Sequence, residues 1–183
     1  MSKYSTCVVI RIDGELRVLC WTINERNTMH KLTIQTCAEY LVAAYRAVGA
    51  DLQAKSGLTV EVTEDFAPET YEGLCEAARR GILLVTTQHS ETSIYGVEGN
   101  TDFRVMHDLG HLSTGLKFTC HDEVALALHQ WEEIRLHIPT AWRERCQAVY
   151  QADTIMQSLY CEKHGSFPTN QTEFVLAALA AYN

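Results

Sequence analysis

The chain has 183 residues, of which 46% are hydrophobic and 21% are charged, and this balance is typical of a folded globular protein rather than a disordered one. Its formal net charge is −8, with no cluster of lysine and arginine, which argues against binding to nucleic acid or to an anionic membrane surface. The sequence has no secretory leader pattern and no apolar run of about 18 residues, so we expect a cytoplasmic protein that does not span a membrane.

The length predicts a single domain, residues 1–183, in which residues 1–100 are mixed α and β and residues 101–183 are helical. Two β-branched runs, joined by the turn dipeptide Asp13-Gly14, predict an N-terminal β-hairpin over residues 7–12 and 16–23. Apolar spacing then predicts a helix that Gly49 ends, a strand, a helix that starts at Pro68 and a strand, at residues 33–48, 58–63, 68–81 and 82–87.

Residues 88–101 have no regular period and contain three residues that favour turns, Gly96, Gly99 and Asn100, so they predict a loop. After it the pattern predicts only helices, at residues 103–113, 122–137, 140–164 and 170 to the C-terminus. The predicted fold class is therefore α+β and mainly α-helical, with an N-terminal hairpin and short strands followed by a helical bundle. The seven cysteines are scattered without a C-x-x-C pair, which indicates reduced, mostly buried thiols.

The most informative motif is His107-Asp108-Leu109-Gly110-His111, followed by Glu123. On a helix His107 and His111 lie at i and i+4 on one face, and Asp108 can lean toward the same side. Glu123 begins the next predicted helix and can add a second carboxylate if the two helices pack antiparallel. Imidazoles and carboxylates without a thiolate suit Zn²⁺ or Fe²⁺, with Mn²⁺ also possible. The sequence therefore predicts a metal site of His107, Asp108, His111 and Glu123 in the helical bundle.

The alternative is that these side chains form only the buried, hydrogen-bonded face of a helix. That arrangement would have to satisfy several polar groups at once, and each costs about 1–3 kcal/mol if left unpaired.

Further residues are candidates for the chemistry around this site. A bound metal lowers the pKa of its water from about 15.7 toward about 7, so Asp108 or Glu123 becomes ligand or general base. His129 lies on the flank of the helix that begins near Glu123, and it is a third candidate catalytic residue. The candidate outer contacts to metal or substrate are a loop histidine, an arginine on the histidine helix and two polar residues within an apolar stripe: His89, Arg104, Asp153 and Gln157.

The spacing His107-Asp108-x-x-His111-x11-Glu123 resembles the H-D-x-x-H-(x)11-E signature of ubiquinone-biosynthesis protein family four. Gly115, Phe118 and the later Gly165-x-Phe167-Pro168 look more like small phage-borne or bacterial proteins with a related core. These resemblances imply a mostly helical protein that binds zinc or iron through the two histidines, Asp108 and Glu123.

The run His107 to His111 is also similar to the H-D-x-G-H run of HD-domain phosphohydrolases, whose H…HD…D residues bind the metal that activates water. That resemblance implies a ligand set of His89, His107, Asp108 and Asp153.

The sequence thus predicts a metal-dependent enzyme, a hydrolase or lyase, that activates water or a small-molecule substrate. An HD-type nucleotide phosphohydrolase and a non-catalytic scaffold or interaction protein stapled by the metal stay open as alternatives. The sequence contains neither a G-x-x-x-x-G-K-[ST] nor a G-x-G-x-x-G motif, so it does not identify the substrate, and it does not fix the oligomeric state.

Overall fold

The computed structural model describes residues 7–12, 15–20 and 31–181, with side chains from residue 33 onward. These residues form short strands and a majority of helix, which confirms the predicted mainly α-helical α+β fold. The elements in chain order are β1 (Cys7–Ile12), β2 (Glu15–Cys20), α1 (Lys31–Ser56), β3 (Thr59–Thr63), α2 (Tyr71–Arg79), β4 (Ile82–Thr86), α3 (Gly96–Thr114), α4 (Cys120–Ile134), 3₁₀ turns at Arg135–His137 and Thr140–Trp142, α5 (Arg143–Asp153), α6 (Ile155–His164) and α7 (Gln171–Ala181).

The strands form two separate two-stranded sheets. β1 and β2 are antiparallel, with Cys7 opposite Cys20, so the predicted hairpin strands are present. The predicted turn at residues 13 and 14 and the predicted strand residues 21–23 lie outside the described part of the chain. β3 and β4 are parallel, with Thr59 opposite Ile82, and the chain between them passes through α2. A parallel pair needs such a crossover, because a tight turn can join only antiparallel strands.

Helix α3 lies between two apolar cores, and this position places the candidate site. Met106 is buried in the larger core, which draws its side chains from α1 and from α3 to α7. Leu109, three residues later, is buried in a smaller core with Leu83 and Val85 of β4. Two faces of α3 are therefore covered by apolar packing, and residues between them can face α4.

Glycines that predicted chain breaks instead lie inside helices. Gly49 does not end α1, because it is buried against α3 and a Cβ there would lie 3.5 Å from Met106 Cβ. The helix ends only where Gly57 takes a φ of 68°.

The predicted loop over residues 88–101 is wrong in its second half, because α3 begins at Gly96. Gly99 is a packing residue: a Cβ there would lie 2.6 Å from Val42 Cγ2 of α1, so only glycine permits this approach. Asn100 is buried and donates a hydrogen bond from Nδ2 to Ser90 Oγ at 2.9 Å.

Threonine caps set the starts of two helices. α2 begins after Thr70, whose Oγ1 accepts the Gly73 N–H at 3.1 Å, and not at Pro68 as predicted. α4 begins after Thr119, whose Oγ1 accepts the Asp122 N–H at 3.2 Å. In both cases the cap satisfies a backbone donor that has no partner within the helix.

The helix predicted over residues 140–164 is divided at Thr154 into α5 and α6. Thr154 has a ψ of −74°, and its Oγ1 donates to the Tyr150 carbonyl at 2.7 Å. A threonine hydroxyl that bonds back to the preceding turn bends a helix without any glycine or proline. The apolar period runs through this position, so the sequence pattern does not reveal the break.

Among the helices of residues 31–181, none combines the length and the apolar character that crossing a membrane requires.

Candidate metal centre

The candidate centre joins α3 to the first turn of α4. His107 and His111 are one turn apart on α3, and Glu123 is the fourth residue of α4. The connection is short: Gly115 takes a φ of 76° and donates its N–H to the His111 carbonyl at 2.9 Å. Lys117 donates its N–H to Asp122 Oδ2 at 3.0 Å, which fixes the loop against α4.

The three side chains converge on one point. His107 Nε2 lies 3.1 Å from His111 Nε2 and 3.0 Å from Glu123 Oε2. His111 Nε2 lies 3.3 Å from Glu123 Oε1. These three residues, which we call the histidine cluster or simply the cluster, form a group that could hold a metal ion.

The centre is partly open to solvent. The His111 side chain is fully buried, whereas the side chains of His107 and Glu123 are 16% and 22% exposed. Aromatic rings hold the imidazoles: Phe103 stacks on His107 with centroids 5.2 Å apart, and Phe118 meets His111 edge-on at 4.7 Å. Two of the three side chains, those of His107 and Glu123, therefore lie at the rim, and that of His111 lies at the base.

The outer nitrogen of each histidine faces an oxygen. His111 Nδ1 lies 2.9 Å from the Leu116 carbonyl, which can only accept, so this nitrogen carries a hydrogen. A neutral His111 ring then has its lone pair on Nε2, directed at the other two residues. His107 Nδ1 lies 3.2 Å from Gln130 Oε1 of α4.

The charges of the cluster are coupled. Burial alone would raise the pKa of Glu123, but hydrogen bonds and positive charge from the protonated forms of His107 and His111 outweigh it and lower this pKa to about 2. Burial disfavours the charged form of His107, yet the hydrogen bond and negative charge of Glu123 raise its pKa above the ordinary value. The arrangement therefore favours a positive charge beside an ionised Glu123.

Asp108 lies beside the three residues without joining them. It is partly buried, and burial raises its pKa although His107 and His111 act in the opposite direction. Its carboxylate is not part of the group of three ligand atoms. Arg104, one turn earlier, donates from Nη1 to the Thr86 carbonyl of β4, and its charge acts on Asp108.

Two other predicted site histidines are outside the cluster. His89 is exposed at a φ of 58°, and its carbonyl accepts from Gln171 Nε2 of α7 at 3.3 Å. His129 is exposed and lines a crevice together with Ser113 and Glu133. Neither histidine is hydrogen-bonded or ion-paired to the three cluster residues.

Asp153 and Gln157 form a separate buried group. Gln157 Nε2 donates to Asp153 Oδ1 at 2.6 Å, and Tyr95 also hydrogen-bonds to this carboxylate. Tyr45 of α1 in turn donates to Tyr95 Oη at 2.9 Å. Burial raises the pKa of Asp153 to about 7 despite these bonds. The buried carboxylate thus has hydroxyl and amide partners, and neither Asp153 nor Gln157 belongs to the candidate centre.

Gln130 is a site residue that the metal-ligand motif does not predict. It lies seven residues after Glu123, which places both on one face of α4, and this spacing could have identified it. The carbonyl of Leu116 has no signal in the sequence, because any residue supplies that group.

Comparisons with family models, with curated proteins and with solved structures gave no match for this chain.

Proposed function

We propose that the chain is a metal-dependent enzyme in which His107, His111 and Glu123 hold a divalent cation, zinc or ferrous iron. The observation that carries the proposal is the convergence of Nε2 of each histidine and the Glu123 carboxylate at 3.0–3.3 Å from one another. Ligand atoms at about 2.0–2.1 Å from one tetrahedral cation lie about 3.3 Å apart. Each histidine nitrogen therefore already lies at about that distance from the other nitrogen and from one oxygen of the Glu123 carboxylate, Oε2 for His107 and Oε1 for His111.

The hydrogen bonding supports a cation at this point. The Nδ1–H of His111 is used by the Leu116 carbonyl, so a neutral His111 directs a lone pair at Glu123 Oε1. A lone pair facing an ionised carboxylate at 3.3 Å is repulsive. A metal ion between the two removes the repulsion and leaves each atom with a partner.

The number of ligands and their exposure favour an enzyme over a structural staple. Structural zinc sites have four protein ligands, whereas catalytic sites have three and leave a position for water. Two histidines and one carboxylate also form the ligand set of many non-haem ferrous enzymes. Here three protein atoms converge, and their rim at His107 and Glu123 is partly exposed, so water or substrate has a path to the cation.

A bound cation would supply an activated water or polarise a substrate oxygen. The residues of this chain would then hold and orient the centre, and Asp108 is the nearby base. Its pKa is raised by burial, which makes its carboxylate a better proton acceptor than an exposed aspartate.

Neither alternative has the same support. The phosphohydrolase ligand set needs His89 and Asp153, and neither lies in the cluster. A non-catalytic staple needs a fourth protein ligand, and the group found among the described residues has three.

Metal analysis of the purified protein tests the centre. We expect close to one zinc or iron per chain, and we expect Glu123→Gln and His111→Ala to lose it. Two matched controls should keep it: His129→Ala, on the exposed side of α4, and Cys120→Ser, the thiol in the first turn of α4. A wild-type protein that binds no divalent metal in a titration would overturn the proposal.

The visible spectrum of cobalt-substituted protein tests the open position. Added azide should change the cobalt absorption, because it replaces water at the fourth site. A tetrahedral spectrum that azide leaves unchanged would contradict an enzyme and support a staple.

A further inference from the structure

Gln130 is the only residue of α4 whose side chain bonds to both the backbone of α3 and a cluster histidine, among the hydrogen bonds of residues 33–181. It is 3% exposed, and Nε2 donates to the Met106 carbonyl at 3.2 Å. Oε1 lies 3.2 Å from His107 Nδ1 and accepts from Tyr150 Oη at 3.4 Å. The side chain is thus held at both ends of its amide.

These contacts decide which way the amide faces. The Met106 carbonyl can only accept, so the NH₂ group must point to it and Oε1 must point to His107. An oxygen at that place accepts a hydrogen bond only if His107 Nδ1 carries a hydrogen. The hydroxyl of Tyr150 is a donor to the same oxygen, and burial raises the pKa of Tyr150, which keeps its proton in place.

The tautomer of His107 decides whether the cluster can bind a metal ion. With hydrogen on Nδ1, a neutral ring presents a lone pair at Nε2 and the three inner atoms can all bind a metal. With hydrogen on Nε2, the ring would instead donate to Glu123 or His111, and hydrogen bonds would close the cluster. We propose that Gln130 is a positioning residue that holds His107 in the Nδ1–H form and so makes the cluster a metal site. The effect of Gln130 on metal affinity rests on the proposed metal centre, whereas its effect on the tautomer of His107 does not.

The absence of a side chain at Gly110 leaves room for the Gln130 amide. A Cβ at Gly110 would lie 2.3 Å from Gln130 Nε2 and 3.2 Å from its Cδ, and Nε2 is hydrogen-bonded and not free to swing away. The glycine of the motif His107-Asp108-Leu109-Gly110-His111 therefore helps to keep Gln130 in contact with His107. An alanine there would displace the amide without changing any ligand.

Nitrogen NMR of the histidine rings in metal-free protein tests the tautomer directly. At a pH high enough for neutral rings, we expect the Nδ1–H form for His107 in the wild type. Gln130→Met, which keeps the size and removes the acceptor, should shift His107 toward the Nε2–H form. Gly110→Ala should produce the same shift from the opposite helix. Gln130→Glu keeps an oxygen acceptor at this position and should restore the Nδ1–H form.

Zinc affinity, measured by competition with a chelator, gives the second readout. Loss of an outer hydrogen bond to a ligating histidine lowers metal affinity about 10- to 100-fold, and we expect this range for Gln130→Met and Gly110→Ala. Two controls should keep wild-type affinity and tautomer. Gln157→Met removes another buried glutamine, whose amide bonds to Asp153 and not to the cluster, and Gly49→Ala places a methyl group at ordinary contact distance from Met106.

The outcomes distinguish a failure of this proposal from a failure of the proposed metal centre. A wild-type His107 in the Nε2–H form would overturn it, and so would Gln130→Met with an unchanged tautomer and affinity. An equal loss of affinity in Gln157→Met would also overturn it, because general loosening of the core would then be the cause. If the wild type shows the Nδ1–H form but binds no zinc, the positioning role holds and the metal centre fails.

Discussion

The Nε2 atoms of His107 and His111 lie 3.1 Å apart, and their rings are perpendicular with centroids 4.6 Å apart. Each ring is held from behind through Nδ1, one by Gln130 of α4 and the other by the Leu116 carbonyl. Phe103 and Phe118 cover the ring faces and edges. The Nδ1 contacts and the aromatic rings therefore direct the inner nitrogens at each other, and this preorganisation would reduce the ordering needed to bind the proposed cation.

Metal affinity should fall as the pH decreases through the titration of His107. The pKa of His107 is raised in the metal-free protein, and a proton on this ring must leave before the ring can bind a metal. Glu123, with a pKa of about 2, is already ionised and should contribute no further change above about pH 4. Calorimetry in buffers of different ionisation enthalpy should therefore detect proton release at neutral pH.

His129→Ala is the control for this experiment, because His129 is exposed and unconnected to the cluster. It should leave proton release unchanged. An affinity that stays constant from pH 8 to about pH 5 would contradict the prediction.

Metal should also stabilise the fold, because its ligands join α3 to α4. Binding at about 1,000 times the dissociation constant adds about 4 kcal/mol to the free energy of unfolding. We expect zinc to raise the melting temperature of the wild type and a chelator to reverse the rise. Glu123→Gln should show no rise, and equal stabilisation of both proteins would place the metal elsewhere.

The histidine pair and Glu123 could be predicted because they depend on local geometry. His107 and His111 repeat after one helical turn, and Glu123 begins the helix that follows a short loop. The motif also predicts Asp108 as a ligand, but adjacent residues on a helix point about 100° apart. Its carboxylate therefore lies beside the group that His107 shares with His111 and Glu123. The partners of the rings could not be predicted, since Leu116 contributes only a carbonyl.

The sequence pattern predicted most helices and strands, but it also predicted helix interruptions at glycines that in fact pack against a neighbouring helix. Gly99 predicts a loop by its intrinsic preference, yet the contact with Val42 of α1 outweighs that preference. Thr154 shows the converse, because a residue that fits the helical period breaks the helix through its hydroxyl. Both outcomes depend on tertiary contacts or side-chain hydrogen bonds that the apolar period does not record.

Gly99→Ala and Gly49→Ala should have opposite effects on stability. A methyl group at Gly99 would lie 2.6 Å from Val42 Cγ2 and 2.9 Å from Tyr95 Cβ, so these side chains or the helices that carry them must shift. Such overpacking costs about 1–3 kcal/mol. At Gly49 the nearest atom would be 3.5 Å away, and alanine should gain about 0.5–1 kcal/mol from its helix propensity. Urea unfolding measures both, and equal effects of the two substitutions would contradict this account of α1 and α3.

Asp153 should make the wild-type protein less stable as the pH rises from about 4 to about 7. Burial raises its pKa from 3.8 to about 7 in the folded protein, against the hydrogen bonds of Tyr95 and Gln157. The folded state therefore binds this proton more tightly than the unfolded state. Its stabilising contribution is complete below the unfolded pKa of 3.8 and is lost as the pH rises through the folded value of about 7.

The Asp153→Asn variant removes this titration while keeping the shape of the side chain. Each pKa unit corresponds to about 1.4 kcal/mol, so the difference in unfolding free energy between the two proteins should change by up to about 4 kcal/mol across this pH range. Asp51→Asn is the matched control, since its carboxylate is exposed and paired with Lys55 on the surface of α1. Urea unfolding at several pH values would refute the role of Asp153 if the wild-type and Asp153→Asn curves stayed parallel. A wild-type curve that falls more steeply with pH than that of Asp153→Asn, but as steeply as that of Glu123→Gln, which keeps Asp153, would assign the pH response to the buried Asp153 rather than to the histidine cluster.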